Sequence, residues 1–112
     1  MYKRQTVHTA TAAAYGVITT ATPDDRSTQL AAGRLLERLH LTATSRGIAL
    51  HHMNQITERI DRERSTGATP TFAPRFAALL PRGEQPLLTF RVGRPVREAA
   101  PSPRRAVAQV VR

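Results

Sequence analysis

Large apolar side chains are scarce in this sequence, and the scarcity limits what it can fold into. Leu, Ile, Val and Phe together number 24 of 112 residues, about 21%. Chains below about 20% with a high net charge default to disorder. Seventeen alanines add helix propensity but little buried area per residue. The length suits one small domain or a piece of a larger one. A thin core is therefore expected, one in which burial only narrowly offsets the entropy lost on ordering the chain. The absence of cysteine excludes disulfides, thiolate zinc sites and a cysteine nucleophile.

The apolar residues that exist are placed with a period. Residues 1–14 show none and are read as a ragged start. Tyr15-Gly16-Val17-Ile18-Thr19-Thr20 is dominated by β-branched residues and reads as a short buried strand. Thr22-Pro23-Asp24-Asp25 is a turn, and Asp25 or Ser27 is placed to cap a following helix. From about Thr28 to Arg46, Ala32, Leu36, Leu39 and Ala43 recur at helical spacing, and Gly47 is a natural stop. A second apolar stretch, Ile48-Ala49-Leu50, runs into His51-His52-Met53-Asn54-Gln55, so residues 15–55 read as strand, helix, strand.

The second half is more broken. Residues 56–66 are dominated by charge and predict a short solvated helix or an ordered loop. Gly67, Pro70 and Pro74 mark a linker, and Phe72, Phe76, Leu79 and Leu80 mark a helical turn or two ended by Pro81. Leu87 to Val92 alternates, with Leu88, Phe90 and Val92 on one face, which predicts a half-buried strand. Residues 97–103 read as an extended Pro- and Ala-rich segment, and 106–111 as a short apolar tail.

A net charge of +9 raises the possibility of an anionic partner. Sixteen of the 17 basic residues are Arg, spread from Arg4 to Arg112 with no run longer than Arg104-Arg105. Nucleic-acid arms concentrate their charge, and five aromatics are few for stacking bases. A basic nucleic-acid-binding protein is therefore the alternative reading rather than the leading one. No apolar run approaches the ~18 residues that span a bilayer, so no membrane partner is expected. The four histidines lack the spacing of a helical metal site, and none is expected; adjacent His51 and His52 in a strand would face opposite ways.

Two stretches carry candidate chemistry. His52-Met53-Asn54-Gln55 follows a strand, where ligands commonly bind in α/β folds, and its amides suit the edge of a heterocycle such as a flavin. The same residues would equally suit a loop that bonds its own backbone. Ser102-Pro103-Arg104-Arg105 sets a hydroxyl and two guanidiniums in a stiff segment able to clamp a phosphate, or forms a solvated basic tail.

Taken in order, these stretches resemble a known family. Residues 32–39 (AGRLLERL), 41–50 (LTATSRGIAL), 53–55 (MNQ), 87–95 (LLTFRVGRP) and 101–105 (PSPRR) are similar to the C-terminal part of the actinobacterial Acg-type NAD(P)H nitroreductases, over residues 15–111. The resemblance implies an α+β, partial nitroreductase-like fold over residues 15–112, with a small mixed sheet packed on a long helix. FMN would lie at a junction of two similar halves, fused in one chain or paired as a dimer. The flavin would take a hydride from NAD(P)H and pass electrons to a nitroaromatic or quinone-like acceptor in the cytoplasm. Met53, Asn54 and Gln55 would lie by the flavin ring, where many nitroreductases carry Glu-Gly. Ser102, Arg104 and Arg105 would hold its phosphate. Family members are longer, so the resemblance also implies a fragment, inactive alone, that needs an N-terminal segment or a second copy to complete the site.

Overall fold

A computed structural model describes residues 7, 10–97, 100, 103 and 105–111. The elements run β1 (Ala14–Thr20), α1 (Arg26–Ser45), β2 (Ala49–His52), α2 (Gln55–Thr66), α3 (Phe72–Ala77) and β3 (Gln85–Gly93), followed by a 3-10 turn at Val107–Gln109. The result is an α+β arrangement around a three-stranded sheet ordered β1-β3-β2.

The sheet is antiparallel throughout, which corrects the expected mixed sheet: β3 runs antiparallel to both β1 and β2. The strand–helix–strand unit of residues 14–52 does form, and its two strands point the same way. They are not neighbours, because β3 fills the space between them, as in a split β-α-β unit. The physical reason lies in β3 itself. It is the longest strand, and its residues are shielded to some degree on both faces, which suits it to the middle. Near its start, Pro86 cannot donate a ladder hydrogen bond, and the register with β1 slips there between Ile18 and Thr19. Strand β1 is an edge strand rather than the buried strand expected, and Tyr15 is 52% exposed.

Helix α1 matches its sequence signals at both ends. Asp25 caps it by accepting the Thr28 N–H at 2.8 Å and the Thr28 hydroxyl at 2.7 Å. The Ser27 hydroxyl also donates to Asp25, so Ser27 supports the cap rather than forming it. At the other end Gly47 takes φ 66°. Its N–H donates to the Thr44 carbonyl at 3.0 Å and the Ile48 N–H to the Ala43 carbonyl at 2.8 Å, the paired bonds of a Schellman stop. The helix turns Ala32, Leu36, His40 and Ala43 inward, and Ala32 is 7% exposed. Leu39, expected in this stripe, lies at its border, and Leu35 beside it is 47% exposed.

The sheet face toward α1 is identified by a contact between His40 on the helix and His52 on β2, ring centroids 5.7 Å apart and edge to face. Cross-strand partners of His52 share that face: Phe90, then Gly16 beyond it. Phe90 lies directly over Gly16, where a Cβ would fall 2.2 Å from the ring. Glycine is thus required here by close approach.

Helix α2 is less solvated than its charge suggests, since Thr57 and Ile60 are both buried. Glu63 on α2 accepts the backbone N–H groups of Thr71 at 3.0 Å and Phe72 at 3.2 Å, so it satisfies the start of α3 from outside. Arg64 donates to the Gln85 side chain at 2.9 Å and joins the end of α2 to the start of β3. Among the described residues no side chain is completely buried, as the shortage of large apolar residues predicts.

Two outcomes follow. Gly16→Ala is expected to lower stability by about 1–3 kcal/mol in urea unfolding, because the Phe90 ring must leave its seat; an unchanged midpoint would count against the packing described. The Asp25 cap is expected to depend on pH. The hydroxyls of Ser27 and Thr28 and the Thr28 N–H hold its carboxyl down from 3.8 to about 2. A depressed folded-state value means the cap stabilises fully above about 3.8 and loses its effect as pH falls through about 2. Asp25→Ala should therefore melt below the wild type at pH 7, and the gap should shrink toward pH 2.

Candidate functional site

Strand β2 carries a candidate site at each end. At its C-terminal end the chain turns through Met53 and Asn54 into α2. The Met53 N–H still follows the ladder and donates to the Thr89 carbonyl at 2.9 Å. The return bond is exchanged. The Thr89 N–H donates to the Asn54 side-chain oxygen at 3.1 Å, and the Thr89 hydroxyl takes the Met53 carbonyl instead. Asn54 thus stands in for a backbone acceptor as the strand peels away. Its own carbonyl accepts the Thr57 hydroxyl at 2.8 Å and the Glu58 N–H at 2.9 Å.

Thr57 and Thr89 are buried polar residues, and this knot satisfies both hydroxyls. Because the Asn54 side-chain oxygen is bound inside the fold, a loop that bonds its own backbone accounts for that residue. Met53 is half-buried and Gln55 is exposed at the start of α2. Of the C-terminal candidates, Arg105 is exposed, whereas Ser102 and Arg104 lie outside the described residues.

At the N-terminal end of β2 an open groove of about 290 Å³ lies against the end of β3. Thr11, Ala49, His51, Arg91, Arg94 and Pro95 contribute to its walls. Tyr15, Arg91 and His51 form a cross-strand row on the sheet face away from α1. Arg91 donates from Nε to His51 Nδ1 at 3.2 Å and from Nη1 to the Thr11 hydroxyl at 3.2 Å. An imidazole that accepts at Nδ1 is neutral and carries its proton on Nε2. The segment before β1 is fixed here as well, since the Ala13 N–H donates to the Val92 carbonyl at 3.0 Å.

The sequence contained no direct sign of this groove. Thr11, His51 and Arg91 are 40 to 80 positions apart, and only the sheet order unites them. The alternation of β3, which sets Arg91 opposite Phe90, was the available hint. A second hollow of about 340 Å³ lies beside α2, where Arg59 stacks over the Phe72 ring at 5.0 Å from its centroid. Its wall includes Glu63, the carboxylate that caps α3. Among the described residues no group of three or more His, Asp or Glu is placed to hold a metal ion, and no helix is long and apolar enough to cross a membrane.

The Thr89 knot makes a measurable claim. Thr89→Val keeps the shape but leaves the Met53 carbonyl without its hydroxyl donor, and is expected to cost about 1–3 kcal/mol in chemical unfolding. Thr89→Ser should retain most of the stability. If the two variants unfold alike, the hydroxyl is not what holds the turn.

No family model, curated protein or solved structure matches the chain.

Proposed function

We propose that this chain is a module of an FMN-dependent oxidoreductase of nitroreductase type, completed by a further segment or by a second copy. The observation that carries the reading is the turn after β2. Thr89, Asn54 and Thr57 hold its backbone in place, while Gln55 stays exposed at the first position of α2. A binding turn fixed before its ligand arrives loses less entropy on binding. Incompleteness has its own support: Tyr15, Val17, Leu35 and Leu39 are exposed large apolar residues in a chain short of them.

In this reading Met53 and Gln55 line the flavin ring, and Asn54 is a positioning residue that holds the turn through its side-chain oxygen, bound by Thr89. Ser102, Arg104 and Arg105 hold the phosphate. FMN supplies the hydride-accepting chemistry, NAD(P)H the electrons, and a nitroaromatic or quinone-like compound takes them up.

Flavin fluorescence tests the reading directly. Adding the chain at high micromolar concentration is expected to change FMN emission, and constant emission would refute binding. Arg105→Ala should weaken FMN by roughly tenfold while leaving riboflavin unchanged, because only FMN carries the phosphate that a charge-assisted bond would hold. Equal loss for both flavins would remove Arg105 from the phosphate site.

A further inference from the structure

We propose that the groove between the start of β2 and the end of β3 is a binding site for a phosphate-class oxyanion, with Arg91 and Arg94 as its cationic groups. The inference stands on the groove alone and does not depend on the flavin reading.

The described walls of the groove are basic. Among the described residues, its walls include two guanidiniums and an imidazole and no acidic side chain. The ion pairs of Arg64 with Asp24 and Asp61 lie on other elements, so these carboxylates belong elsewhere. Arg91 is oriented in advance. Its Nε bond to His51 and Nη1 bond to Thr11 are directed by different parts of the chain, and together they fix the plane of the guanidinium. A guanidinium already held in one orientation meets a phosphate by charge-assisted bonds at little further entropic cost.

Arg94 approaches from the segment that leaves β3, three residues further on and exposed. Pro95 follows it and stiffens that segment. The His51 imidazole adds a neutral polar group to the same walls, whereas the Thr11 hydroxyl, which donates to the Val7 carbonyl at 2.7 Å, serves to orient Arg91. At about 290 Å³ the groove lies near the lower end of small-ligand sites, which favours a phosphate carrying a small organic group over a large ligand.

Inorganic phosphate is the probe. The full chain is titrated at low ionic strength while backbone amide resonances are followed, with chloride at matched ionic strength as control. Saturable shifts are expected at Thr11, His51, Arg91 and Gly93. Arg94→Gln, a change at an exposed position, should weaken the affinity about tenfold. Arg91→Lys keeps the charge but loses the fork, and should weaken it too. Shifts no larger than those with chloride would overturn the proposal, as would wild-type affinity in both variants.

Competition then separates the sources of the phosphate. Displacement of phosphate by FMN but not by riboflavin assigns the groove to the flavin's own phosphate. FMN binding without displacement assigns it to another phosphorylated small molecule. Phosphate binding with no flavin binding sinks the flavin reading alone, and flavin binding with no phosphate response sinks the groove alone.

Discussion

Everything in this fold depends on β3 being hydrogen-bonded along both edges. Strand β1 pairs with it on one side and β2 on the other, and neither outer strand touches the other. Helix α1 can bridge β1 and β2 only because β3 holds them one strand apart. The turn into α2 is anchored by Thr89 of β3, and the walls of the basic groove meet at Arg91 of β3. A strand rich in alternating apolar residues thus does what a larger core does in other small domains. It supplies order by backbone pairing where the chain lacks apolar area to bury.

That dependence explains where the chain invests its polar side chains. Thr57 and Thr89 are buried, although hydroxyls are costly to bury without partners. Each is satisfied by a carbonyl at the β2–α2 turn, so the turn gains a defined geometry from groups that would otherwise destabilise it. Glu63 does the same at the start of α3, where two backbone N–H groups find a carboxylate. Specific hydrogen bonds, more than packing, define the joints between elements. The exposed Tyr15 and Leu35 show the other side of the balance: large apolar side chains reach the surface of the described fold.

The local features were legible and the non-local ones were not. Ala32, Leu36 and Ala43 announce the inward stripe of α1 by spacing alone, and Asp25 and Gly47 mark its ends by their chemistry. Alternation in Leu88, Phe90 and Val92 likewise marks β3. These signals lie within one element, where periodicity operates. Strand order does not. Two strands joined by a helix and an alternating third fit several arrangements; the mixed sheet that the family resemblance implies differs from the antiparallel order in which β3 lies between β1 and β2. Asn54 shows the limit for the site. A side-chain amide after a strand suits a heterocycle and a peeling ladder equally, and only the position of Thr89 tells them apart. His40 against His52, and His51 against Arg91, were likewise hidden, although opposite faces for the two adjacent histidines could be read from the strand period.

The two candidate regions lie at opposite ends of β2 but share β3, and this ties any ligand to the stability of the whole chain. A ligand that binds only the folded form stabilises it in proportion to the logarithm of its saturation, whatever the size of the core. In a domain with a deep core that increment is a small fraction of the total. In a chain whose described residues include no completely buried side chain, it is a large one. An anion held at Arg91 would reinforce the joint between β2, β3 and the segment at Thr11, because the same guanidinium already bonds two of these. Such an anion would also offset part of the self-repulsion in a chain of charge +9 and add order that burial alone supplies sparingly.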